Sequence, residues 1–258
     1  MDTATPLRVA HAGSTLPAWS WGDGPLVLLV HGWEGRGTQL SAHVAPLVRA
    51  GFRVVCFDAP GHGDAEGDRS SVIEIAQALR SVIDHFGAPH AIVAHSVGCV
   101  ATAFALKRAS LATRPRLVFY CPPISPRRFT EHFAKAMGLS EATRAAMAAR
   151  IEERYGIALA ELELLSVAEQ REEPLLVIHD SDDKDVPVVA GRAVVSRWKG
   201  SQLVITEGLG HRRVLRDESA VRTAVDFVSE GAIERAPHAT EEQALFCELF
   251  DRDERSAA

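Results

Sequence analysis

A chain of 258 residues is long enough to bury a sizeable core, and its 47% hydrophobic and 24% charged content is that of an ordinary globular protein. The formal net charge of −6, with no large basic run, excludes a nucleic-acid footprint. No stretch is long and apolar enough to cross a membrane, and Met1 to Pro6 lacks the basic-then-apolar opening of a signal peptide.

Short apolar runs alternate with longer helical patterns, which predicts an α/β fold with a mostly parallel sheet and helices on both faces. Leu7 to His11 and Leu16 to Trp21 read as opening strands, with Ala12-Gly13-Ser14-Thr15 turning between them. Core strands follow near 26–31, 53–57, 91–95, 117–121, 175–179 and 202–206. The helix near 38–50 contains Pro46, so it either kinks or starts late. Ser70 to Phe86 is the clearest helix: Ser71 and Glu74 form a capping box, Val72, Ile75, Leu79, Val82 and Phe86 share one face, and Gly87 ends it.

Between Cys121 and Leu175 the rhythm breaks, with helical sequence and no strand-like run. Phe129, Phe133 and Met137 share one helical face, and a second helix starts at Ser140 and carries Met147, Ile151 and Tyr155. The chain is therefore read as a core of residues 1–121 and 175–258 with a helical insertion at 122–174. Asp217 to Glu230 is a last amphipathic helix, and a short one after Thr240 carries Leu245, Phe246, Leu249 and Phe250. That stripe either packs on the domain or joins two copies, so monomer and homodimer both stay open. Cys56, Cys99, Cys121 and Cys247 form no Cys-x-x-Cys pair and read as reduced thiols of a cytoplasmic protein.

Chemistry gathers at the strand ends. Ala94-His95-Ser96-Val97-Gly98 joins the run Ala91-Ile92-Val93 to the small-residue run Cys99 to Ala103. That is a strand, a tight turn with serine at its apex, and a helix whose free N–H groups point at the serine. His31-Gly32-Trp33-Glu34-Gly35 follows the strand at 26–30, and Asp58-Ala59-Pro60-Gly61-His62-Gly63 follows the strand at 53–57. Two glycines, a proline and an aspartate make the second a rigid turn, with His62 a turn residue. His179 to Pro187 carries Asp180, Asp182, Asp183 and Asp185. Lys184 interrupts the alternation that a calcium loop needs, and no closing glutamate follows, so no metal is expected there. Gly208-Leu209-Gly210-His211 lies beyond the last strand, where an imidazole reaches back over the sheet as a general base.

These motifs resemble those of the α/β-hydrolase superfamily, whose nucleophile elbow reads Gly-x-Ser-x-Gly. Ala94 departs from that pattern. The resemblance implies an α/β-hydrolase fold and a triad in the chain order Ser96, Asp183, His211, with Asp182 as the second choice for the acid. It implies an oxyanion hole from the backbone amides of Trp33 and Val97, and a lid growing from the 122–174 insertion. Trp33, His95, Phe129 and Phe133 are the candidate pocket residues. The aspartate assignment aligns His179 and Val186-Pro187 with the family's His-Gly-x-x-Asp-x-x-Val-Pro, where Asp180 replaces the glycine.

The expected chemistry is hydrolysis of a small or medium acyl ester or thioester through an acyl-enzyme on Ser96, with no cofactor and a small-molecule acyl substrate as partner. Two alternatives stay open on the same frame. One is a ligand-binding, receptor-like or interaction protein with little turnover. The other is a carbon–carbon bond hydrolase or lyase using the same triad.

Overall fold

The computed structural model describes residues 4–108, 111, 113–125, 134 and 137–230. Met1–Val228 form one compact unit, and of a second, Ser229–Ala258, Ser229 and Glu230 are described. Phe129, Phe133, Cys247 and the expected helix after Thr240 lie outside the described residues.

The eight strands are β1 (Thr5–His11), β2 (Ser14–Trp21), β3 (Leu26–Val30), β4 (Arg53–Phe57), β5 (Ala91–His95), β6 (Arg116–Tyr120), β7 (Leu175–Asp180) and β8 (Gln202–Thr206). They lie in one sheet in the order β1-β2-β4-β3-β5-β6-β7-β8. β1 and β2 form an antiparallel hairpin, β2 pairs antiparallel with β4, and every later pairing is parallel. Ala12 and Gly13 carry φ of 45° and 81°, two positive values that match the twist a two-residue hairpin needs. β6 stops one residue short of the expected end, because Cys121 turns out of the strand with φ 49°.

The α-helices are α1 (Val44–Arg49), α2 (Val72–Phe86), α3 (Val97–Lys107), α4 (Glu141–Tyr155), α5 (Leu164–Ala168), α6 (Val189–Val195), α7 (Gly210–Arg213) and α8 (Glu218–Ser229). Pro46 sits in the first turn of α1, where its missing N–H costs nothing; the segment before it is a 3-10 helix, Gly37–His43. At α2 the Ser71 hydroxyl accepts the Glu74 N–H at 3.2 Å, a cap worth about 1 kcal/mol. The reciprocal half of the expected capping box is not seen, since Glu74 Oε2 is buried without a partner.

β3, β5 and β7 are buried at every position, as befits parallel strands covered on both faces. Leu28, Ile92, Leu117 and Val177 join α2, α3 and α5 in the main core. On the other face the Tyr120 hydroxyl donates to Ala220 O of α8 at 3.0 Å, and Arg116 Nε donates to Phe227 O at 2.6 Å. Within the 122–174 insertion, Leu159, Leu162, Leu164 and Val167 are buried in the same core, whereas α4 has no fully buried residue.

The strand order fixes where a site can form. β4 lies on one side of β3 and β5 on the other. The connections leaving β3 and β5 therefore diverge, and a crevice opens at their carboxyl ends. The His31 loop and the Ser96 turn border that crevice.

Candidate active site

Ser96 follows β5 with φ 53° and ψ −125°, a strained conformation costing on the order of 1–3 kcal/mol for a residue with a side chain. Its N–H donates to Tyr120 O at 2.9 Å, which holds the apex down against β6. Ala94 replaces the usual glycine easily because its own φ is not positive; the strain sits at Ser96. Gly98 is different: a Cβ there would lie 2.6 Å from His31 O, so α3 can approach β3 through a glycine alone. Gly32 is held as closely, since its Cβ would meet His95 Nδ1 at 2.7 Å and Ser96 Cβ at 3.1 Å. The loop after β3 thus rests directly on the serine turn.

That loop is locally tied. Gly35 N–H donates to Gly32 O at 3.1 Å, and Gly32 N–H donates to Gln39 Oε1 at 2.8 Å. His31 Nε2 accepts the Ala59 N–H at 3.1 Å, so the proton sits on Nδ1, which donates to Gly32 O at 2.8 Å. Burial pushes the His31 imidazole down to about 4 and keeps this ring neutral. Among the described residues, neither Trp33 N–H nor Val97 N–H has a hydrogen-bond acceptor. The Trp33 ring is 40% exposed and meets His62 edge-on at 5.4 Å. Asp58 is fully buried and accepts from Gly37 N at 2.6 Å and Asp64 N at 2.7 Å, which makes it a turn-holding carboxylate.

The loops that carry the candidate acid Asp183 and the candidate base His211 leave β7 and β8. His211 Nδ1–H donates to Asp183 Oδ2 at 2.7 Å, leaving the Nε2 lone pair free to take a proton. Asp183 Oδ1 accepts from Asp185 N at 2.9 Å and Val186 N at 2.8 Å. Burial pushes the Asp183 carboxyl up, but the His211, Val186 and Cys121 donors outweigh it and hold it below the usual carboxylate range. Asp182 faces elsewhere, with Oδ2 accepting from Gly208 N at 3.0 Å.

His95 is 2% exposed, and its Nε2–H donates to His211 O at 2.9 Å. The two rings are 4.6 Å apart, so His211 lies against the residue that precedes Ser96. Ser96 Oγ itself makes no hydrogen bond among the described residues. An open cleft of about 530 Å³ borders the acid and base loops, lined by Ser181, Asp182, Asp183, Lys184, Gly208, Gly210 and Arg213. Of the expected pocket residues, Trp33 is exposed beside the serine turn, whereas His95 is buried behind His211.

Several working contacts have no signal in residue spacing. Gln39 and His95 touch the site through hydrogen bonds set by tertiary packing. Asp180 has a signal, being an aspartate where glycine is usual in the family. Its four contacts form a complete set: Oδ1 accepts from Asp182 N at 3.0 Å and Gly210 N at 2.8 Å, and Oδ2 from Thr206 Oγ1 at 2.7 Å and Leu209 N at 3.1 Å. A carboxylate so filled has no lone pair left for a cation. Cys121, His179 and Asp183 place possible metal ligands within 4.8 Å of one another. His179 Nε2–H donates to Val186 O at 2.8 Å and Asp183 accepts from His211, whereas His179 Nδ1 is buried without a hydrogen-bond partner among the described residues.

A mostly parallel eight-stranded sheet with a serine turn after β5 and a paired aspartate and histidine on the loops after β7 and β8 is the α/β-hydrolase fold. The sequence matches the alpha/beta hydrolase family over residues 27–225, and the chain belongs to that family. It is similar to a non-heme haloperoxidase of Rhodococcus erythropolis, at 27% identity over 124 residues that span 46% of this chain and 45% of that protein. It is also similar to a bifunctional esterase/perhydrolase of Acinetobacter calcoaceticus, at 30% identity over 83 residues, 31% of this chain and 30% of that one. The chain thus spans less than half the length of these relatives.

Among solved structures, an esterase from Exiguobacterium antarcticum matches with a TM-score of 0.70 at 14% identity, covering 88% of this chain and 100% of that one. A serine hydrolase involved in carbazole degradation matches with a TM-score of 0.65 at 19% identity, covering 88% and 99%. At such identities the likeness shows the fold. No described helix is long and apolar enough to cross a membrane.

Proposed function

We propose that this protein is a serine hydrolase that cleaves an acyl ester or thioester of a small to medium substrate through an acyl-enzyme on Ser96. The observation that carries the reading is the 2.7 Å contact from His211 Nδ1 to Asp183 Oδ2, with His211 seated against the serine turn. A carboxylate held ionised on Nδ1 fixes the tautomer whose Nε2 accepts a proton.

In this reading the Ser96 hydroxyl attacks the acyl carbonyl as its proton passes to His211 Nε2. The base-to-serine contact tightens when substrate is bound. The N–H groups of Trp33 and Val97 donate to the tetrahedral oxyanion. His211 then returns the proton to the leaving group, and the carbonyl re-forms as an ester of Ser96. Water, deprotonated by His211, attacks that ester, and His211 returns the proton to Ser96 Oγ as the acid leaves. Trp33 forms one wall of the acyl pocket.

The test is labelling by a fluorophosphonate probe, with wild type beside Ser96→Ala and His211→Ala, followed by chromogenic esters of rising acyl length. Labelling lost in both variants, with turnover in wild type, supports the reading. A folded wild type that neither labels nor turns over overturns it in favour of a binding protein on the same frame. Turnover that depends on Ser96 without a trapped acyl-serine points instead to a carbon–carbon lyase.

A further inference from the structure

Asp180 has no role in the chemistry just described, yet it is fully buried and holds four donors. Parallel pairing sets Asp180 of β7 opposite Thr206 of β8, the last residue before the base loop. The carboxylate therefore stands at the root of both loops. Asp182 N belongs to the acid loop, and Thr206 Oγ1, Leu209 N and Gly210 N belong to the base loop. Ser181 N–H donates to Thr206 O at 2.8 Å and ties the same two roots. Gly208 and Gly210 carry φ of 75° and 67°, and along this turn the Leu209 and Gly210 amides reach Asp180 while the Gly208 amide reaches Asp182.

We infer that Asp180 is a positioning residue: it clamps the loop ahead of His211 to the loop that carries Asp183, and so sets the distance between base and acid. This inference rests on the triad reading above. His211 is bonded to its acid through a single imidazole N–H, and its backbone follows two glycines that would otherwise turn freely. A shift of the Leu209–Gly210 amides moves His211 away from Asp183 directly, and a misplacement of about 1 Å costs on the order of a hundredfold in rate.

Asp180→Asn tests it, because the amide cannot accept at both ends. The least disruptive placement puts the NH2 group at Oδ2, where the Thr206 hydroxyl can rotate to accept but the Leu209 N–H faces another donor. Thr206→Val removes one donor without touching the charge, and Thr206→Ser restores it; this pair serves if Asp180→Asn does not fold. Two readouts are taken. The first is the downfield proton resonance of the His211 Nδ1–H on its carboxylate, assigned by its loss in His211→Ala. The second is kcat and KM with a chromogenic ester, in the wild-type and His211→Ala backgrounds.

The inference predicts a weakened or shifted resonance in Asp180→Asn and Thr206→Val, recovered in Thr206→Ser. It predicts kcat about tenfold to a hundredfold lower with KM little changed. It also predicts no further loss when Asp180→Asn is added to His211→Ala, because the effect passes through His211. An unchanged resonance and unchanged kcat overturn it, as does an equal loss in both backgrounds, which marks a merely structural role. If wild type shows no Ser96-dependent turnover, the functional reading fails, and the resonance still decides whether Asp180 sets the His211–Asp183 contact.

Discussion

The carbonyl oxygen of His211 accepts a hydrogen bond from His95 Nε2 at 2.9 Å, so the residue before the candidate nucleophile holds the backbone of the candidate base. The other ring nitrogen of His95 lies 3.2 Å from Gln39 Oε1, which already accepts the Gly32 N–H at 2.8 Å. Both neighbours are acceptors. Burial lowers the His95 imidazole to about 3, so the ring carries one proton at neutral pH and can donate to one of them at a time. His95→Phe removes both contacts and is expected to lower kcat about tenfold or more with KM little changed. His95→Gln, whose amide N–H reaches the place of Nε2, is expected to retain most of the rate. Steady-state kinetics on a chromogenic ester check this, and equal losses in both variants would contradict it.

The two candidate acids are separated by geometry. Asp183 meets His211, whereas Asp182 caps Gly208 N. Asp183→Asn is expected to lower acyl transfer by about 10³ to 10⁴, because an amide stabilises neither the required tautomer nor the imidazolium. Asp182→Asn is expected to stay within a few-fold of wild type. Fluorophosphonate labelling rates give the comparison, and the reverse ranking would refute the assignment.

Gly98→Ala forces a methyl group to within 2.6 Å of His31 O, a backbone atom fixed at the end of β3. Either α3 or the His31 loop must move. Overpacking of this kind costs about 1–3 kcal/mol, and the displaced element carries one of the two candidate oxyanion amides. The expected result is a lower Tm together with slower labelling of Ser96. Ala94→Gly, at a position with no positive φ, should cost under about 1 kcal/mol and leave labelling intact.

Acid should destabilise the fold in two stages. Burial lowers His31 and His43 to about 4 and His95 to about 3, while the same residues in the unfolded chain titrate near 6.5. Between those values the unfolded chain binds protons that the native chain does not, so stability is complete above about pH 6.5 and falls as pH drops through this window. Asp180 and Asp183 are also depressed in the native state, so their contribution is present above about pH 4 and is lost below it. His43→Phe removes one such proton, and its Tm should fall less steeply from pH 6.5 to 4 than that of wild type. Parallel slopes for the two proteins would show that His43 is not buried neutral.

Much of this protein was legible in its residues. Apolar runs bounded by turn residues marked β3, β5 and β7 most plainly, since a strand buried on both faces must be apolar throughout. The one-residue miss at Cys121 arose because a positive φ there is set by packing at the end of β6 and leaves no mark in hydrophobicity. Ser71 capped its helix as read, but the Glu74 half of the box did not form. The Ser96 turn was readable because a strained turn demands particular residue types, and the place of Asp183 before Val186-Pro187 marked it as the partner of His211, which it meets at 2.7 Å. Other hydrogen-bond partners were not readable. Asp180 gathers the amides of both loops, and His95 holds the His211 carbonyl. The Asp180–Gly210 and His95–His211 contacts join residues 30 and 116 positions apart, and the parallel register of β5 to β8 brings them together. Local sequence sets which residue can turn, cap or take up a proton; the packing of distant strands sets which one it meets.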